Sequence, residues 1–210
     1  MADIADVVGL GAITKSVLAL LRWPVLVGLA VLLVYGSTPS FACPTRIIPP
    51  MRILFVCLGN ICRSPTAEGV MRHVLREEGL EEQVEVDSAG TGGWHVGAPP
   101  DERATETARK RSIVLEGAAR KFSPDDFEDF DLVLAMDDEN RRDLLALAPD
   151  DETRAKVRML REFDPASDGS GDLDVPDPYY GGDEGFEHVL DLVEAATRGL
   201  VDELRAAGRV

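Results

Sequence analysis

Four consecutive apolar residues, Ile53-Leu54-Phe55-Val56, run directly into Cys57-Leu58-Gly59-Asn60-Ile61-Cys62-Arg63 and then into Ser64-Pro65. A short continuous apolar run suits a strand covered on both faces, as in a parallel sheet. Ser64-Pro65 has the pattern of an N-cap followed by proline at the first helical position. Ala67, Val70, Met71, Val74 and Leu75 then fall at i, i+3, i+4, i+7 and i+8, one apolar helical face, with Gly79 as its stop. The segment therefore predicts strand, tight loop, helix.

The same punctuation continues downstream. Val84 to Ala89 predicts a second strand, Asp101 to Arg111 a helix, Leu132 to Met136 a third strand, Asp138 to Leu147 a helix and Val157 to Leu160 a fourth strand. Phe163 to Gly185 is dense in Asp, Gly and Pro and predicts mostly loop, while Phe186, Val189, Leu190, Val193 and Leu200 mark one face of a last helix. This alternation predicts a single three-layer α/β domain, a four-stranded parallel sheet flanked by helices, with a tight loop after the first strand.

Residues 1–50 are of different material. They hold Asp3 and Asp6 against Lys15, Arg22 and Arg46, net +1, so residues 51–210 carry -17 of the chain's -16. Val17 to Tyr35 is almost wholly apolar, broken by Arg22 and Pro24, and Gly36 to Pro50 is rich in Ser, Thr and Pro. Three readings stand: a secretory signal ending near Ser40-Phe41-Ala42, a membrane anchor, or a mis-assigned start with translation beginning at Met51. Membrane contact is expected only if residues 17–35 are retained as an anchor. The acidic balance excludes general nucleic-acid binding, so any anion must be held locally. Cys43, Cys57 and Cys62 cannot build a disulfide framework, and free thiols suit a reducing, cytoplasmic setting, with export or anchoring as the alternative.

The loop itself carries chemistry. It lies at the carboxyl end of a strand, where open parallel sheets bind ligands. Gly59 and Asn60 tolerate positive φ, so the backbone N–H groups of Leu58 to Ser64 can turn toward one anion, aided by the helix dipole. Such a field favours the Cys57 thiolate, a nucleophile. Arg63 can grip two phosphoryl oxygens as a fork, and Ser64 can donate a hydrogen bond to the Cys57 sulfur. Expelling an alkoxide or phenolate from phosphorus also needs a proton donor, and Asp177, ahead of Pro178, Tyr179 and Tyr180, is the candidate.

The segment resembles the phosphate-binding loop of the low-molecular-weight protein tyrosine phosphatases, Cys-x5-Arg-Ser near the start of the domain. The likeness continues through Ser88-Ala89-Gly90-Thr91, Trp94-His95-Val96-Gly97, Asp101-Glu102-Arg103-Ala104, Met136-Asp137 with Asn140, and Asp177-Pro178-Tyr179-Tyr180. It spans Met51 to about Arg205. It implies phosphotyrosine hydrolysis through a cysteinyl-phosphate, with Cys57 as nucleophile, Arg63 as transition-state clamp and Asp177 as general acid and then base. The implied partner is a tyrosine-phosphorylated protein. Trp94, Tyr179 and Tyr180 would line the substrate entrance, and His95 reads as a loop residue. No cofactor or metal is expected, since no His, Cys and carboxylate set has zinc-ligand spacing.

The resemblance departs at Gly117-Ala118-Ala119-Arg120, where the family commonly has His-x-Ala-Arg, so Asn60 must be held by other groups. The alternatives are a protein-arginine phosphatase, disfavoured by Ile61 and the Tyr179-Tyr180 pair; an arsenate reductase, disfavoured because the domain lacks cysteines beyond Cys57 and Cys62; and a catalytically silent phosphate-binding module.

Overall fold

The computed structural model describes residues 49–167 and 171–210. The expected apolar segment 17–35 and residues 36–48 of the stretch that follows it, Cys43 among them, lie outside the described residues. Among those described, no helix is long and apolar enough to cross a membrane.

Strand β1 spans Met51–Cys57, one residue beyond the apolar run at its carboxyl end, and helix α1 spans Arg63–Glu78. Strand β2 (Val84–Gly90), helix α2 (Glu102–Lys110), a single turn α3 (Asp126–Asp129), strand β3 (Leu132–Ala135), helix α4 (Asp138–Leu147), a short α5 (Asp151–Ala155), strand β4 (Val157–Met159) and helix α6 (Asp183–Ala206) follow. All strand pairs are parallel, in the order β2-β1-β3-β4. The chain steps from β1 to one side and then crosses back to the other, so the space beyond β1 and β3 is the switch point of the sheet.

Alternation along β1 divides the core between two faces. Ile53 and Phe55 pack with Val70, Met71 and Val74 of α1, Ala104 and Ala108 of α2, and Val189, Val193 and Leu200 of α6. Leu54 and Val56 face Phe127 of α3 and Leu144 of α4. The apolar stripes of α1 and α6 are thus buried as expected, each large side chain contributing roughly 1.5–3 kcal/mol. Gly79 stops α1 in the left-handed conformation, φ 68°.

Three local features differ from the sequence expectation. Turns α3 and α5 are too short to show a period. The expected fourth strand stops at Met159, Leu160 opening a 3-10 turn, Leu160–Phe163; a second 3-10 turn, Pro165–Ser167, lies within the expected loop, and α6 begins at Asp183, where Asp183 and Glu184 supply negative charge to its first turn. Finally, Ser64 does not cap α1: the helix begins at Arg63, so Cys62 holds the cap position without a side-chain cap, and Ser64, already inside the helix, sets its hydroxyl against the Cys57 sulfur and the Ala89 carbonyl.

Asp101 caps α2 through the Arg103 and Ala104 amides. Burial works against its charge, but hydrogen bonds from the Arg103 side chain and those two amides outweigh it and hold the carboxyl below the usual range. Asp101→Ala is expected to lower stability by about 1 kcal/mol at neutral pH in urea unfolding of the full chain. Because the folded carboxyl titrates below the unfolded one, this contribution is complete above about pH 4 and fades on further acidification.

Candidate active site

Strand β1 ends by delivering Cys57, 3% exposed, to the switch point. The chain then turns back through Asn60, whose φ of 55° is left-handed, and its backbone N–H lies 3.3 Å from Cys57 Sγ. Gly59 and Asn60 both suit such a turn by residue type, but Asn60 is the one that takes the left-handed conformation. The end of β2 presses against this turn: a Cβ on Gly90 would come 2.7 Å from the Leu58 carbonyl oxygen. Gly90 is therefore required for the loop to close over the sheet.

Asn60 is held from three sides. Its Nδ2 donates to Ser64 Oγ at 3.0 Å and to Ser88 Oγ at 2.9 Å, and its Oδ1 accepts from the Arg120 backbone N–H at 2.8 Å. Gly117, in the position where a histidine was expected from the resemblance, is left-handed at φ 95° and makes no such contact. Arg120 is fixed in turn by Asp87 at 2.8 Å and Asp126 at 3.0 Å. Ser64 Oγ completes the set, 3.0 Å from Cys57 Sγ.

Arg63 opens α1 with a side chain only 5% exposed. Its Nη1 donates to Asp137 Oδ2 and, at 3.1 Å, to the Val175 carbonyl. Burial is the largest influence on this guanidinium and opposes its charge, yet Cys57 and Asp137 outweigh it and hold it more firmly protonated. Asp137 caps α4 through the Asn140 N–H at 2.6 Å, so one carboxylate serves both the helix and the arginine. The other terminal nitrogen of Arg63 lies 3.6 Å from Asp177 Oδ2.

Asp177 sits on a loop folded by its own Oδ1, which accepts from the Tyr179 N–H at 3.1 Å. Arg103 clamps that loop, donating to the Tyr179 carbonyl at 3.2 Å while its guanidinium stacks 5.6 Å from the Tyr179 ring and 4.6 Å from Phe186. The result is a cavity of about 310 Å³, with Cys57, Gly59, Cys62 and Arg63 in its lining and Asp177 on its wall. Leu58, Ile61, Trp94, His95, Tyr179 and Tyr180 complete it. Tyr179 and Tyr180 meet edge to face at 5.1 Å, and Trp94 and Tyr180 are 76% and 94% exposed, free to meet an incoming ring.

Of the residues singled out in the sequence, Asn60 and Ser64 lie behind the cavity and the others line it. Two site residues escaped the sequence reading. His95 lines the cavity 6.4 Å from the Tyr179 ring, and its signal was adjacency to Trp94. Asp137 holds Arg63, and its signal was an Asp three residues before Asn140, the pattern of a helix cap. Among the described residues, no group of three His, Cys, Asp or Glu side chains is arranged to hold a metal ion.

A cysteine, a buried arginine and a carboxylate around one anion-sized loop, at the switch point of a parallel sheet, define a phosphoryl-handling α/β enzyme. Residues 52–210 match the family model for low molecular weight phosphotyrosine protein phosphatases. The chain is similar to a low molecular weight protein-tyrosine-phosphatase of Streptomyces coelicolor, 52% identical over 154 residues, which cover 73% of this chain and 93% of that one. It is 39% identical over 152 residues to the human low molecular weight phosphotyrosine protein phosphatase, 72% and 94% of the two chains. A crystal structure of a protein tyrosine phosphatase from Entamoeba histolytica superposes with a TM-score of 0.71 at 38% identity, covering 75% of this chain and 99% of that one. The chain belongs to the low molecular weight protein tyrosine phosphatase family, hydrolases that work through a cysteine.

Burial pushes the Cys62 thiol up to about 12, with Asp101 and Cys57 adding to the effect. Iodoacetamide at neutral pH should therefore label Cys57 and spare Cys62, as read by peptide mapping, and inorganic phosphate should slow the labelling of Cys57. Asp137→Asn leaves the Arg63 guanidinium without its buried counter-charge. A loss of about 3–5 kcal/mol in unfolding free energy is expected, together with weaker phosphate binding by calorimetry.

Proposed function

We propose that this chain hydrolyses phosphotyrosine in proteins by double displacement, with residues 51–210 as its catalytic domain and residues 1–50 as an extension. Cys57 Sγ attacks phosphorus, the S–P bond forms and the bond from phosphorus to the phenolic oxygen breaks. Arg63 and the loop amides hold the equatorial oxygens as charge spreads over them. Asp177 gives its proton to the departing phenolate; as a carboxylate it then takes a proton from the water that attacks the phosphocysteine, releasing phosphate and the thiolate. Asp137 acts one step removed, by orienting Arg63.

The observation that carries this reading is the shared cavity: Cys57 and Asp177 both line it, and Arg63 reaches from beside the sulfur to within 3.6 Å of Asp177. Ile61 in the wall and the Tyr179-Tyr180 pair at the mouth favour an aromatic leaving group over a guanidine. Cys57 and Cys62 are both free, which supports a cytoplasmic setting.

The test is hydrolysis of para-nitrophenyl phosphate and phosphotyrosine by the full chain in the presence of a chelator. Cys57→Ser should have no turnover while still binding phosphate, and Asp177→Ala should lose about 10²–10⁴ in kcat. Turnover surviving Cys57→Ser would overturn the mechanism. A wild-type chain that binds phosphate but turns over no aryl phosphate would establish a silent binding module, and preference for phosphoarginine would correct the substrate class.

A further inference from the structure

Behind the loop, the hydrogen-bond chain that begins at Cys57 ends on a carboxylate. Glu68, on α1 and 13% exposed, places Oε2 2.7 Å from Ser88 Oγ, while its Oε1 accepts from Arg72 Nε at 3.0 Å and Nη2 at 2.8 Å. Ser88 Oγ is the atom that meets Asn60 Nδ2.

From Glu68 to Asn60 the donors and acceptors leave one consistent arrangement. An ionised carboxylate only accepts, so the Ser88 hydroxyl hydrogen points to Glu68 and its lone pairs face Asn60. That side admits only the amino end of the Asn60 amide, which leaves Oδ1 for the Arg120 N–H. The second Nδ2 hydrogen goes to Ser64, whose own hydrogen is thereby kept for the two acceptors on its other side, Cys57 Sγ at 3.0 Å and the Ala89 carbonyl at 3.2 Å. Turning the Asn60 amide end for end would set two donors face to face at Arg120 and draw the Ser64 hydrogen away from the sulfur. In shape the two orientations are nearly equal, so hydrogen-bond polarity decides between them.

We propose that Glu68 is a positioning residue for the reaction: through Ser88 it sets the polarity of the chain and so the orientation of the Asn60 amide and the Ser64 hydroxyl at Cys57. This rests on the reading of Cys57 as the nucleophile. The Arg72 contact makes the role testable by an isosteric change. In Glu68→Gln, the two guanidinium N–H groups hold the single amide oxygen, so the new amino group faces Ser88; the Ser88 hydrogen then loses the acceptor that fixed it, and its lone pairs are no longer reserved for Asn60.

In the full chain, Glu68→Gln should weaken inorganic phosphate binding and lower kcat/KM for an aryl phosphate by about fivefold or more, the worth of one misdirected hydrogen bond near the reacting sulfur. Adding Arg72→Met releases the glutamine to present its oxygen to Ser88, and both quantities should return to within about twofold of Arg72→Met alone. In a Ser88→Ala background, Glu68→Gln should cause no further loss. A residue that merely supports the fold shows neither rescue nor dependence on Ser88. The proposal is overturned if Glu68→Gln matches the wild type, if Arg72→Met does not rescue it, or if the loss is as large without the Ser88 hydroxyl. If the wild-type chain turns over no aryl phosphate, the proposed mechanism fails separately, and the phosphate-binding arm still decides the role of Glu68.

Discussion

The loop around Cys57 is tied to the rest of the domain through one buried side chain, Asn60, and much of the site depends on how that side chain is satisfied. Its backbone takes a left-handed conformation that ordinary residues avoid, and its own N–H reaches the sulfur. Its amide spends every polar atom on three different parts of the fold: Ser64 on α1, Ser88 on β2 and the Arg120 amide beyond α2. A buried amide with partners on all sides resists reorientation, because any other pose leaves a donor or acceptor unpaired. The strained turn is thus maintained by contacts distributed over the domain, consistent with strain concentrating where surroundings over-determine it.

Sheet topology supplies the second constraint. Because β1 and β3 are parallel neighbours, their carboxyl ends emerge side by side, and the residues just beyond them, Cys57 with its loop and Asp137, meet at Arg63. The segment through Val175 then docks on the same edge, its N–H donating to the Met136 carbonyl at 2.7 Å and its own carbonyl accepting from Arg63. That docking brings Asp177 to the mouth. Three distant stretches of sequence are assembled by backbone geometry before any substrate is considered.

Much of this was legible in the chain. The apolar run before Cys57, the stripe Ala67 to Leu75 and the glycine at 79 give β1 and α1 almost to the residue, since burial on both faces and a 3.6-residue period leave direct marks. Cys57, Arg63 and Asp177 were named as a set from the loop pattern and the resemblance, and the structure brings all three to one cavity. What escaped was pairwise. Ser64 has the type and place of a helix cap, and only the three-dimensional position of the Cys57 sulfur shows why its hydroxyl is turned elsewhere. Asp137 and Glu68 are among 38 acidic residues, and nothing in spacing separates a carboxylate that holds Arg63 or Ser88 from one that faces solvent. The loss of a histidine at Gly117 was visible, but its replacement by a backbone N–H was not, because backbone groups are the same in every sequence.

The burial of Arg63 has a consequence for energetics in time. A guanidinium on a solvent-exposed side chain would have to shed water and be immobilised each time a phosphoryl group arrived. Here the Asp137 and Val175 contacts fix it with the fold, so the orientation that water would otherwise have to supply around an arriving anion is already built into the protein. In the proposed mechanism the reorganisation energy of the chemical step is thereby lowered in advance, and the permanence of that field is inseparable from the permanence of the fold.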